Sequence, residues 1–135
     1  MPTVADVMSR TLHQTDASTT VAEVATIMAR SKVGSALVMD GDRLIGIFTE
    51  RDMVRAVSNS PDAPADPVGH WMTPRPHTVD PDVDAGDALA TMLGGGYRHL
   101  PVTHEGRVMG MVSMRDLARA GVEGSAPPRH PERDA

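Results

Sequence analysis

The chain repeats itself at a constant offset of 64 residues, and no other feature limits its fold as much. Without a gap, Val4 matches Val68, Met8 matches Met72, His13 matches His77, Asp16 matches Asp80 and Met28 matches Met92. Val38, Arg43 and Gly46 then match Val102, Arg107 and Gly110, and Arg51, Asp52, Arg55 and Ala56 match Arg115, Asp116, Arg119 and Ala120. A length of 135 residues suits one domain, or two half-size units too small to bury enough surface alone. One pattern written twice in that length predicts two copies of a supersecondary unit that share a core.

Each copy resolves by periodicity. Val21, Val24, Ala25 and Met28 share one helical face in Thr19–Arg30, opened by a capping box from Thr20 to Glu23. Ala85, Ala88, Leu89 and Met92 do the same in Asp84–Leu93. SALVMD and RLIGIF are apolar strands split by Gly41 and Asp42, a hairpin signal that LPVTHEGRVMGMV repeats. A short amphipathic helix follows each hairpin, ERDMVRAV or MRDLARAG. The predicted order is a lead-in segment, helix, strand, strand, helix, with repeats over 1–57 and 68–121. Residues 58–67, rich in Pro, Asp and Ser, read as a linker, and 122–135 as a disordered tail. Gly94–Gly96 closes a helix, either as a loose cap or as room for a ligand.

Composition closes several functions. Cys is absent, which removes disulfides, thiol nucleophiles and cysteine metal sites. With one Trp, one Tyr and one Phe against ten Met, the core must be aliphatic and Met-rich. A formal net charge of -5 with scattered basic residues argues against a nucleic-acid backbone as partner. No stretch approaches the roughly 20 apolar residues of a membrane span, and the N-terminus has no export signal, so a cytoplasmic location is expected.

The repeated feature with chemical content is a hydroxyl residue, two spacers and an aspartate directly after an apolar strand: Thr49 with Asp52, and Ser113 with Asp116. One reading is purely local, a helix N-cap and its N3 partner in a capping box. The other is a nucleotide. A helix start presents unpaired N–H groups and a positive dipole end to a phosphate, and an ionised carboxylate can accept from both hydroxyls of a ribose. Asp in both copies, where Glu or Gln is usual for a capping box, favours the second.

In this doubled form the sequence resembles a pair of cystathionine-β-synthase (CBS) motifs, the Bateman module. The resemblance spans Met1 to Gly121, through VADVMS and VGHWMT, VGSALVMDGDRLIGIFTERD, and YRHLPVTHEGRVMGMVSMRD. Leu37 departs from it, standing where the second copy has Pro101. The resemblance implies an α/β fold of tandem β-α-β-β-α CBS repeats packed about a pseudo-twofold axis, with two clefts. One would group Thr49 and Asp52 with the lead-in Thr73–His77, including Pro76 and His77, and with Tyr97, Arg98 and His99. The other would group Ser113 and Asp116 with Ser9–His13, including Leu12 and His13, and with Val33, Gly34 and Ser35. Asp52 and Asp116 would hold ribose, and Thr49 and Ser113 would face phosphate. Arg98 would either face the ligand, giving the first cleft more phosphate charge, or form a surface salt bridge, while Arg51 and Arg115 read as solvated.

The implied function is a non-catalytic regulatory sensor of adenosyl ligands, with AMP, ADP or ATP leading and Mg accompanying ATP if that is the ligand. The module would be a homodimer signalling to a downstream protein and acting as an energy sensor. Met53, Val54 and Val57 would supply either the dimer face or internal core. Alternatives are a ligand-independent dimerisation module, or a stress protein that binds NAD, S-adenosylmethionine or nucleic acid. Other chemistry is not expected. The six His form no metal pattern, DPDVD (80–84) reads as a turn and helix start, and the chain has no P-loop for ATP hydrolysis.

Overall fold

Thirteen elements follow one another in the computed structural model, which describes residues 1–123. The first repeat contributes α1 (Val4–Val7), β1 (Gln14–Thr15), α2 (Val21–Ser31), β2 (Ser35–Asp40), β3 (Arg43–Thr49) and α3 (Glu50–Asn59). A 3₁₀ turn (Ala63–Ala65) leads to α4 (Val68–Trp71), β4 (Thr73–Pro74), α5 (Ala85–Gly95), β5 (His99–His104), β6 (Arg107–Ser113) and α6 (Met114–Arg119). From β1 to α3 the order is the β-α-β-β-α expected, in a mixed α/β fold. Of the expected tail, only Val122 and Glu123 are described. Val122 donates its N–H to Leu117 O at 3.0 Å and packs on the core, so it continues the second repeat.

The long helices form where periodicity placed them, and each starts on a side-chain cap. Thr20 Oγ1 accepts from Glu23 N at 3.2 Å, one arm of the expected box, and Asp84 Oδ1 accepts from Gly86 N at 2.8 Å. Both end on a left-handed residue, Lys32 at φ 55° in α2 and Gly96 at φ 75° in α5. Only glycine adopts that conformation without a steric penalty. Gly96→Ala should therefore cost about 1 kcal/mol and Lys32→Gly should cost nothing or stabilise, as read by urea denaturation.

The two hairpins repeat each other. β2 pairs antiparallel with β3 from Ser35↔Thr49 to Asp40↔Arg43, turning through Gly41 at φ 60°. The β5–β6 turn has positive φ at Glu105 and Gly106, as a tight hairpin turn demands. The Leu37 departure now has a consequence. Leu37 N donates to His13 O at 2.8 Å, sustaining the parallel β1–β2 pair, whereas Pro101 has no N–H to give. In the second repeat this pairing shrinks to the bridge Val79↔Val102.

The chain forms two compact units. Among the described residues, one comprises Thr11–His77 with Glu105–Val108, and the other Met1–Arg10, Thr78–His104 and 109–123. Neither coincides with a sequence repeat, because the lead-in segments are exchanged. In the first unit β4 pairs antiparallel with β3, and Val68 is fully buried among Val21, Val24, Met28, Ala36, Val38 and Phe48. In the second, Ser9 bridges Met111, and Val4 is fully buried among Ala85, Ala88, Met92, Leu100, Val102, Val112 and Leu117. Each unit has its own cluster, enlarged by the segment it borrows. Residues 58–67 are not a loose connector either. Ser58 and Asn59 finish α3, Ala63 is fully buried, and Asp66 O accepts from Val21 N at 3.0 Å.

Candidate functional site

A hairpin brings the start of its first strand beside the end of its second, and this geometry decides which candidate residues meet. Ser35 lies opposite Thr49, and Gly34 O accepts from Glu50 N at 3.1 Å. Arg98 O accepts from Met114 N at 2.9 Å. Val33, Gly34 and Ser35 therefore flank Thr49 and Asp52, while Tyr97, Arg98 and His99 flank Ser113 and Asp116. This reverses the expected placement of Tyr97–His99 and Val33–Ser35, whereas Thr73–His77 does share a unit with Thr49 and Asp52 as expected. Leu12, His13, Pro76 and His77 belong to the Asp52 unit, and Ser9 and Arg10 to the Asp116 unit.

Both hydroxyl–aspartate pairs form reciprocal capping boxes, so the local reading holds in each copy. Their remaining bonds differ. Asp52 is 5 % exposed, and its carboxylate accepts from donors on both oxygens. Its Oδ2 accepts from Thr49 N at 2.9 Å and from Thr49 Oγ1 at 3.1 Å. Its Oδ1 accepts from Thr73 Oγ1 at 2.9 Å and from Arg55 Nη2 at 3.4 Å. Arg55 Nη2 also donates to Trp71 O at 2.6 Å, and its guanidinium lies 5.8 Å from the Trp71 ring centroid. Trp71 in turn donates Nε1–H to Asp66 Oδ2 at 2.9 Å. The network runs from α3 through the lead-in of the second repeat to the segment before it.

Asp116 is half-buried and less engaged. Its Oδ2 accepts from Ser113 N at 2.8 Å, and Ser113 Oγ accepts from Asp116 N at 3.0 Å. Among the described residues, Oδ1 of Asp116 has no partner and the Ser113 hydroxyl proton has no acceptor. Arg98 is exposed and makes no ion pair among the described residues, so the surface salt bridge that was the alternative to a ligand-facing role does not form among them. The Tyr97 ring lies where a Cβ on Gly95 would stand, so α5 ends in glycine partly to seat that ring.

Arg55 and Trp71 escaped the sequence reading as parts of a site. The only trace of their role is a break in the repeat, since Val7 stands at the counterpart of Trp71. Elsewhere, DPDVD forms the turn and helix start expected of it. The Asp80 carboxyl is held below its usual range by the Asp82 N–H and then by His104, whose Nδ1 is 3.2 Å away. No group of three His, Asp or Glu among the described residues could hold a metal. No described helix is long and apolar enough to cross a membrane.

A strand–helix junction bearing hydroxyl and acid, written twice with exchanged lead-ins, defines a CBS domain pair. The chain belongs to the CBS domain family, whose profile matches residues 4–59 and 68–123. An uncharacterised 17.7 kDa protein of Acidianus ambivalens, from the bps2 3' region, is 40 % identical over 119 residues, 87 % of this chain and 71 % of that protein. Other curated relatives are longer, and the chain spans as little as 14 % of one of them. The crystal structure of the CBS-domain containing protein ATU1752 from Agrobacterium tumefaciens matches with a TM-score of 0.85 at 28 % identity, over 89 % of this chain and 99 % of that one. The CBS domain protein PAE2072 from Pyrobaculum aerophilum, complexed with AMP, matches with a TM-score of 0.78 at 28 % identity, over 85 % and 89 % of the two chains. CBS domain pairs are generally regulatory, non-catalytic modules, and neighbours of this one bind adenosyl ligands.

Proposed function

We propose that the protein is a non-catalytic regulatory module that binds an adenosine phosphate, AMP, ADP or ATP, through its hydroxyl-x-x-aspartate junctions. The carrying observation is the acid of the second junction. It sits at a strand–helix corner with Ser113, whose hydroxyl proton has no acceptor among the described residues, and in the unit of Arg98, which makes no ion pair among them, in a chain similar to a CBS domain protein complexed with AMP. The carboxylate suits a ribose diol, and Ser113 and Arg98 suit phosphate. S-adenosylmethionine has no phosphate and would leave those donors idle. Bound ligand favours one arrangement of the module over another by its differential affinity, which is how a downstream protein would read it.

Calorimetric titration with AMP, ADP, ATP with and without Mg, NAD and S-adenosylmethionine tests this. Saturable binding of an adenosine phosphate, competed by the other two, is the expected result. Heats no larger than dilution for every adenosyl compound would sink it.

A second reading, assembly through an apolar helix face, is favoured by Val54 and Val57, which are 67 % and 53 % exposed on α3, whereas Met53 packs into the core. A homodimer in sedimentation equilibrium that Val54→Glu dissociates would support that role beside nucleotide binding.

A further inference from the structure

We propose that Met8 and Met72 are a matched pair of oxidation sites, at which a hydroperoxide converts the thioether to a sulfoxide and so unseats the lead-in segment that each residue fastens. The proposal is independent of what the junctions bind. Each Met ends the short helix of a lead-in, its N–H donating to Val4 O or Val68 O at 2.8 Å. Each then lays its thioether over a buried glycine of the hairpin it completes. The point a Cβ on Gly110 would occupy is 2.8 Å from Met8 Sδ and 2.5 Å from Ser9 O. The same point on Gly46 overlaps Met72 Sδ and is 3.1 Å from Thr73 O. Sulfur thus fills the place of the missing side chain, with a backbone carbonyl close by. Ser9 O is itself held by Met111 N at 2.9 Å, and Thr73 pairs with Ile47.

Burial sets these two apart from the methionines at either extreme. Met28 and Met92 are 3 % and 0 % exposed, closed to an oxidant in the folded chain. Met1 and Met109 are exposed and belong to neither core cluster, so their oxidation costs little. Met8 and Met72 are half-buried, open to a molecule as small as hydrogen peroxide, and each packs against the core of its unit. A sulfur lone pair attacks one peroxide oxygen and the O–O bond breaks. Sulfur loses two electrons, and the departing hydroxide takes the proton of the new S–OH to leave as water. The sulfoxide carries a strong acceptor where the glycine has no side chain to donate and the neighbouring carbonyl repels it. The oxidised side chain must swing out to water, and β4 or Ser9 loses the packing that holds it to the hairpin. Because a sulfoxide can be enzymatically reduced, the change is a switch rather than damage.

Titration of the full chain with hydrogen peroxide, read by tandem mass spectrometry, should oxidise Met1 and Met109 first without thermal effect. Met8 and Met72 should follow, with a Tm loss of at least about 3 °C, before Met28 and Met92 react. Hydrogen exchange should rise selectively across residues 4–10 and 68–74, and the pair of methionine sulfoxide reductases that act on the two epimers should restore both readings. The double variant Met8→Leu/Met72→Leu keeps an apolar side chain at each place and should lose the Tm response while the other Met still oxidise. A Tm loss undiminished in that variant would overturn the proposal. So would reaction of Met8 and Met72 only together with Met28 and Met92, which marks prior unfolding. Should the variant fail to fold, exchange on the peroxide-treated unmutated chain decides: protection kept across both lead-ins, with Met8 and Met72 oxidised, overturns the switch.

Discussion

Gly46→Val is expected to destabilise the protein by about 3 kcal/mol or more, the upper range for a side chain forced into occupied space. A Cβ at position 46 would run into the Met72 side chain and stand 3.1 Å from Thr73 O. Met72 could move only in part, and the carbonyl is fixed by the pairing of β4 with β3, in which Gly46 faces Pro74. The cost should therefore appear as detachment of the lead-in segment rather than local repacking. Gly110→Val should behave alike, because a Cβ there would lie 2.5 Å from Ser9 O and 2.8 Å from Met8 Sδ. Gly94→Ala serves as the control. Nothing lies within 4 Å of its Cβ position, and alanine in a helix should be neutral or stabilise by about 0.5 kcal/mol. Urea denaturation of the three variants measures these differences, and a Gly46→Val midpoint equal to that of Gly94→Ala would contradict the close approach.

Phe48→Ala should cost about 4 kcal/mol, within the range for deleting a buried aromatic ring. Phe48 is fully buried and packs with Val21, Val24, Met28, Ala36, Val38 and Val68. These neighbours belong to α2, β2 and α4, elements whose backbones are tied by strand pairing and caps, so they cannot collapse fully into the space left. The second unit fills the same position with Val112, also fully buried, so Val112→Ala removes less and should cost markedly less. The contrast is measured by chemical denaturation followed by far-UV circular dichroism. A Phe48→Ala loss no larger than that of Val112→Ala would show that the ring is not the centre of its cluster.

What sequence revealed and what it hid divide along physical lines. Helices and hairpins were legible because burial selects residues at fixed periods, as Val21, Val24 and Met28 do on α2. The hydroxyl–aspartate junctions were legible because capping is local, over three residues. The partition of Tyr97–His99 and Val33–Ser35 was misassigned although the tight turns at Gly41 and Gly106 imply it: a short turn obliges each hairpin to close on itself. The filling of Asp52 was out of reach, since it depends on Thr73, 21 residues away, meeting an acid whose local pattern is complete without it. The segment at 58–67 was misread because Ala63, one small residue among Pro and Asp, gives no periodic signal of its burial.

The exchange of lead-in segments bears on how such a chain could arise. A solitary copy would leave one edge of its hairpin bare and its own first helix without a place to dock, so two unlinked copies could complete each other only by trading ends. Between separate molecules that trade is bimolecular and fails on dilution. Joined head to tail it becomes intramolecular, at an effective concentration set by the short connection, which on the order of millimolar removes the dependence on abundance. Duplication followed by fusion thus makes a permanent partnership of what would otherwise be a transient one.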